Sequence, residues 1–424
     1  MSGFAPTAAQ WVATAIFGIA VLHTFSTRFF EHLAHVQPRH AGLWHLLGEV
    51  EVVFGFWALV LLLFLMVHSE PRQALAYLEG QKFTEPAFIF VIMVIAASRP
   101  VLDFSGAVLL WIARALPMKL PTAYYFTLLF VGPLLGSFIT EPAAMTLVAM
   151  LLRERYFSHQ APNFFKYATL GVLFVNISIG GTLTPFAAPP VLMVADRWGW
   201  DLGFMLQTFG WKAALAVGIN AAGAAILHRS YLNQLPTISA ALERLDVPWP
   251  VVVVHLLFLA AVVIASHHML VFGGLFLFFL GFAEAYRRHQ SRLILREGLL
   301  VGFFLAGLVV LGGMQEWWLH PLLSAMSPTV MYYGATLLTA VTDNAALTYL
   351  GSLVDGMTPQ AKYALVAGAV TGGGLTVIAN APNPAGFAIL KATFDDGAIS
   401  PLWLAAAATP PTVVAVAAFQ LLPG

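Results

Sequence analysis

A membrane-spanning helix takes about 20 mostly apolar residues, and runs of that kind follow one another along almost the whole chain. The pattern predicts spans at Trp11–Phe25, Leu46–Val67 and Phe88–Leu116, the last too long for one simple crossing and interrupted at Ser98-Arg99-Pro100. Tyr124–Leu152 carries Gly132-Pro133 and Thr140-Glu141-Pro142 inside an apolar stretch. It is too long for one straight helix and too broken for two full ones. It reads as a re-entrant hairpin, two half-helices meeting near mid-membrane with the polar tip turned toward protein or water. Phe165–Ala195 is a broken helix, interrupted at Gly180-Gly181-Thr182 and at Pro189-Pro190, and Phe204–Leu227 is a further span. After a polar, charged stretch the series resumes with Val251–Ser266, Leu270–Ala285 and Leu299–Trp318. A second hairpin at Val330–Val354, a second broken helix at Tyr363–Leu390 and a final span at Leu402–Leu422 complete it.

The two halves carry their elements in the same order, and their irregular stretches overlay without a gap. GSFITEPAAMTLVAMLL (Gly136–Leu152) falls on LTAVTDNAALTYLGSLV (Leu338–Val354), which puts Thr140 on Thr342, Glu141 on Asp343 and Thr146 on Thr348. GGTLTPFAAPP (Gly180–Pro190) falls on GGGLTVIANAP (Gly372–Pro382), with Thr184 on Thr376. The expected fold is an all-α polytopic membrane protein of two repeats, residues 1–230 and 251–424, joined by a linker at 231–250. Each repeat has five transmembrane helices, a re-entrant hairpin (124–152, 330–354) and one broken helix (165–195, 363–390). An odd number of crossings makes a duplicated unit enter the membrane upside down the second time, so the repeats are inverted.

Charge tests this arrangement independently. With the N-terminus outside, fourteen of the 20 Lys and Arg fall in inner loops, among them Arg287, Arg288, Arg292 and Arg296. Only Arg72, Lys82, Arg197 and Lys362 fall outside, and Arg99 and Lys212 lie within spans. That is the bias the positive-inside rule requires, and it places both termini outside.

Composition narrows the class. The chain is 59% hydrophobic and 9% charged, with a mean hydropathy of +0.82; a soluble domain carries about 25% charge. The bilayer is therefore the first partner. Net charge is zero, so no nucleic acid or other polyanion is implied. The absence of cysteine excludes disulfides, thiolate metal sites and thiol catalysis. Met1–Gln10 lacks the basic region and cleavage site of a signal peptide. No GxxxxGK[ST] loop and no hydrolase triad signature is present, so neither ATP hydrolysis nor another enzyme activity is expected.

The chemistry concentrates at the breaks. Half-helices meeting in the membrane expose unpaired backbone groups and the ends of helix dipoles. Oxygen ligands there suit a small hard cation such as Na+. Glu141, Asp343, Thr140, Thr342 and Asn344 supply such oxygens at the hairpin tips. Asn176, Ser178, Thr182 and Thr184 supply them on one broken helix, and Thr371, Thr376, Asn380 and Asn383 on the other. The structural alternative is that Thr140 and Thr342 cap helices while the two acids answer the dipole. Lone carboxylates at mid-depth are expensive, however, and two in matching places point to function. Arg99 and Asp103, four apart, form an ion pair or assist ion access. Lys212 and Glu316 are expected to snorkel outward. His23, His32, His35, His40 and His45 read as wet residues of the first span and inner loop rather than as a pH sensor.

Paired hairpins, a broken helix after each and an inverted repeat resemble the ion transporter superfamily. That group includes NhaD-type sodium/proton antiporters, arsenite permeases and divalent-anion/sodium symporters. The resemblance covers nearly the whole chain in architecture and about forty residues in detail. The superfamily's dicarboxylate carriers have Ser-Asn-Thr at the hairpin tips; this chain has Thr140-Glu141-Pro142 and Thr342-Asp343-Asn344. Two negative charges repel an anion and attract a cation or proton. The resemblance therefore implies a secondary Na+ (or Li+)/H+ antiporter of a prokaryotic inner membrane, without a cofactor. In it Glu141 and Asp343 would hold protons near neutral pH and bind Na+ once these leave. Dimers occur among the resembled carriers, and a homodimer is the implied assembly. The competing reading is a proton- or sodium-coupled exporter of a small solute such as arsenite or an organic acid. An anion carrier needs Arg or Lys at the broken helices; Phe165–Ala195 has only Lys166, at its mouth, and Tyr363–Leu390 has none.

Overall fold

The structure is a computed structural model and describes residues 6–68, 70–157, 161–236, 247–394 and 398–423. The main helices, in chain order, are α1 (Ala8–Phe25), α2 (Val50–His68), α3 (Thr84–Ala96), α4 (Arg99–Ala115), α5 (Leu120–Ile139) and α6 (Glu141–Arg155). They continue with α7 (Asn163–Gly180), α8 (Pro189–Trp198), α9 (Trp211–Leu227), α10 (Trp249–Ile264), α11 (Met269–Ala285) and α12 (Leu295–Gly312). The last are α13 (Pro328–Thr339), α14 (Asn344–Ser352), α15 (Pro359–Gly372), α16 (Asn383–Leu390) and α17 (Pro401–Leu421). No strand occurs among the described residues. Among the described residues seven helical segments are long and apolar enough to cross a membrane: α1, Glu51–His68, α5, Asn163–Leu183, Leu202–Leu227, α12 and α17. Together α3 and α4 make an eighth, bent by 66°. The protein is an all-α polytopic membrane protein. Residues 237–246 of the expected linker lie outside the described residues.

Local chemistry explains where these helices start and stop. α13, α15 and α17 each begin with a capping hydroxyl followed by proline: Ser327-Pro328, Thr358-Pro359 and Ser400-Pro401. The hydroxyl accepts an orphan N–H of the first turn, and proline occupies a position whose own N–H would go unused. The bend between α3 and α4 falls where Ser98 is extended and Pro100 opens the next helix. α5 and α6 are parted by one residue, Thr140, because Pro142 cannot donate to the carbonyl four residues back and its ring clashes there. The two run antiparallel, Gly132 lying against Val148 and Gly136 against Ala144.

The first hairpin differs from two half-helices. α5 has 20 residues, about 30 Å at 1.5 Å per residue, which is the length of a full span. Proline usually interrupts a helix by orphaning the carbonyl four residues earlier. Here the Asn176 amide donates to that carbonyl, Leu129 O, at 2.8 Å, so Gly132-Pro133 is absorbed into a continuous α5. The second break keeps short limbs, 12 residues in α13 and 9 in α14.

The chain folds as two compact units, each assembled from both halves of the sequence. One comprises Met1–Phe90, Leu295–Met326 and Tyr349–Met357. In it α1 and α12 pack on α2, with Phe54 edge-on to both Phe17 and Phe304. His23 is buried there, its ring bonded to Trp57 Nε1 and Leu47 O, so it is a packed core histidine and not a wet one. Glu49 pairs with Arg296. The other unit comprises Val91–Ile294, Ser327–Thr348 and Thr358–Gly424. Here α4, α6, α7 and α9 pack around α5, α17 packs on α7 and α9, α13 packs along α15, and α16 packs on α6. All the breaks of interest lie in this second unit.

Candidate functional site

Glu141 opens α6 and is fully buried. It is held between the two broken helices. Oε2 accepts from Asn380 Nδ2 at 3.0 Å. Oε1 lies against Gly181, where a built Cβ would stand 2.2 Å away, and has no hydrogen-bond partner. Just before it Thr140 has φ 75 and ψ 149, a region nearly reserved for glycine. The Thr140 hydroxyl is buried and unpartnered too.

The second tip reaches the same place. Asn344 N–H donates to Ala379 O at 3.2 Å, next to Asn380. The Asn344 side chain faces Gly373 and, though fully buried, has neither amide atom partnered. Asn380 Oδ1, Asn383 Oδ1 and Thr339 Oγ1 are likewise buried without partners. Buried polar atoms normally find a partner, so the orphaned oxygens on Thr140, Glu141, Asn344 and Asn380 make this crossing the candidate site for a small ligand. Among the described residues no group of three His, Cys, Asp or Glu could hold a metal ion. The donor set is one carboxylate with neutral amide and hydroxyl oxygens, which suits a hard monovalent cation.

Asp343 is placed differently from Glu141. It is half-buried, and Oδ1 accepts from Ala345 N at 2.8 Å and Ala346 N at 3.0 Å, capping α14. Thr342 does not cap with its hydroxyl, which donates back to Leu338 O at 2.7 Å.

The remaining candidates brace the breaks. Ser178 donates to Val370 O, Thr182 to Ile179 O, Thr371 to Ala367 O and Thr376 to Ala340 O. Thr184 donates to Ser137 O, and Ser137 donates to Gly180 O and accepts from Leu183 N. Asn176 is engaged on both amide atoms, donating to Leu129 O and Val217 O and accepting from Asn220. Asn383 Nδ2 spans its own break to Gly373 O and Thr376 O. Arg99 Nε meets Asp103 at 3.2 Å as an i, i+4 pair.

Three polar residues carry more of this arrangement than the sequence suggested. Ser137 and Thr339 were legible, since the gap-free overlay already puts one hydroxyl on the other. Asn220 had no signal beyond a lone amide in an apolar span. Lys212 does not snorkel: it is buried, donates to Tyr363 OH at 3.0 Å and sits over that ring.

The chain is thus a helical, multi-pass membrane protein with a carboxylate buried at the meeting of two broken helices. A family model described as "Putative Na+/H+ antiporter" matches residues 8–422, and the chain belongs to that family. Antiport is a transport activity and not an enzyme class. No curated protein matches the chain.

Proposed function

We propose that the chain exchanges Na+, or Li+, for H+ across the inner membrane by alternating access, with Glu141 and Asp343 as the carboxylates that proton and cation share. The observation that carries this reading is Glu141 Oε1, buried and unpartnered among the orphaned oxygens of Thr140, Asn344 and Asn380. An unneutralised charge in such surroundings is costly. A proton on the carboxyl relieves that cost, and so does Na+ seated against Oε1. The two cannot do so together, and mutual exclusion at a site opened in turn to each side is antiport. Asp343 adds negative charge beside the site while its Oδ1 holds α14 in place.

The breaks of the two halves make parallel contacts, which supports an inverted repeat. A built Cβ on Gly180 would strike the Pro133 carbonyl, and one on Gly372 the Thr336 carbonyl. Thr184 and Thr376, which overlay in sequence, each donate to a carbonyl at the end of a hairpin limb. In this reading both termini lie outside and the arginine-rich loops inside.

A proton- or sodium-coupled exporter of arsenite or an organic acid is the other reading. Lys166, the one basic residue of the first broken helix, is buried with Nζ donating to Thr393 O at 2.6 Å, so it is engaged away from the crossing. That favours the cation. The test is collapse of a pH gradient in proteoliposomes on adding Na+, Li+, K+ or arsenite. Na+ or Li+ is expected to collapse it, and Glu141→Gln to reduce the rate to that of empty vesicles. Collapse by arsenite and not by Na+ would overturn the assignment.

A further inference from the structure

Away from the ion site, a cleft of about 830 Å³ opens among α7, α9 and α17. Its walls are apolar, with Phe164, Ile219, Leu227 and Trp403 all largely exposed. Small side chains leave the space: Gly223, Ala406 and Ala407 line it. Along α17 it runs from Trp403 to Val414, about 16 Å at 1.5 Å per residue. That is close to half of the roughly 30 Å hydrocarbon core, the depth of one leaflet. Its mouth is where α7 begins, α9 ends and α17 begins. Two exposed cations are near that end in the sequence, Arg229 two residues past Leu227 and Lys391 three residues before Phe394. Asp395 and Asp396, next in sequence, lie outside the described residues.

We propose that this cleft holds one acyl chain of a phospholipid, with the lipid phosphate at Arg229 and Lys391. Three properties define the occupant. The helices that form the cleft span the bilayer, so its open side is continuous with lipid. The length matches one leaflet and the lining is apolar, which suits a chain and not a polar solute. Arg229 and Lys391, near the mouth in the sequence, supply the charge that complements a phosphate.

The deep end gives the lipid a route to the carrier's working parts. Asn220 lines the cleft and donates to Asn176 Oδ1 at 2.9 Å and to Pro411 O at 3.3 Å. Asn176 in turn holds Leu129 O on α5. A chain seated in the cleft therefore packs against the network that joins α17, α9, α7 and the limb leading to Glu141.

The experiment is native mass spectrometry of the detergent-purified protein, with a phosphatidylglycerol and the matching diacylglycerol added separately at equal concentration. One phospholipid is expected to remain bound per chain, several-fold more than the diacylglycerol, and Arg229→Gln with Lys391→Gln to erase that preference. Gly223→Phe fills the cleft, and a Cβ at Gly223 has nothing within 4 Å, so the new side chain starts in open space; Ala406→Phe is the second filler. Both are expected to lose the bound lipid and to slow Na+-driven pH collapse at least several-fold in phosphatidylglycerol vesicles. Retention of the lipid by both fillers overturns the proposal. So does equal binding of diacylglycerol, or a dimer that Gly223→Phe separates, which would make a second copy the occupant.

Discussion

Gly181 and Thr140 set the position of the Glu141 carboxyl. Glycine at 181 leaves the room that Oε1 fills, since a Cβ there would stand 2.2 Å from it. Gly181→Ala is therefore expected to abolish Na+-dependent exchange while the helical content measured by circular dichroism stays the same. At 140 the backbone holds a conformation that costs a non-glycine residue about 1–3 kcal/mol. Thr140→Gly should raise the melting temperature in detergent yet weaken Na+ exchange, because the hydroxyl goes with the strain. An unchanged exchange rate would show that this hydroxyl is not a ligand. His228, just past the end of α9, gives a pH prediction. Burial between Phe164 and Phe165 pushes its imidazole below the ordinary value. The unfolded chain then takes up a proton at higher pH than the fold does. The contribution of His228 is complete above about 6.5 and is lost as pH falls through the lowered folded value. Melting temperatures at about pH 8 and about pH 5.5 should differ less in His228→Asn than in the natural chain.

Elements here are tuned by what crosses them. Pro133 would end most helices, yet α5 continues because an amide from α7 takes the freed carbonyl. Asn176→Leu leaves Leu129 O buried without a donor, a loss of about 1–3 kcal/mol. The thermal midpoint should fall accordingly, and Pro133→Ala should restore part of it. The hairpin packs α5 on α6 through Gly132, where a built Cβ meets Val148 Cγ2 at 2.5 Å. Gly132→Ala overpacks that contact, about 1–3 kcal/mol, and Val148→Ala is the expected rescue. Absence of rescue in the double variant would place the strain elsewhere. The half-helix expectation failed for α5 because composition shows proline but not the amide that compensates it.

For the whole molecule the natural absence of cysteine is an experimental advantage. Single cysteines at Thr7 and Pro423 should react with an impermeant maleimide on intact cells, and one at Arg288 only after permeabilisation. The reverse pattern would invert the proposed topology and exchange the faces to which the two breaks open. The all-helical, multi-pass character was readable from apolar runs and glycine or proline punctuation, though Trp249–Ile264 and Met269–Ala285 are shorter than the spans expected there. The grouping into two compact units was not, because each draws segments from both halves of the chain.

Sequence alone determined the class, the places where helices break and the acids that stand at the breaks, since hydropathy, proline chemistry and repeat overlay are local properties of the chain. Tertiary structure decided how alike those acids are. Glu141 and Asp343 overlay in sequence, but packing buries Glu141 between two broken helices with one oxygen unpartnered and turns Asp343 to cap α14. Burial and hydrogen-bond partners come from residues distant along the chain, so no local pattern records them.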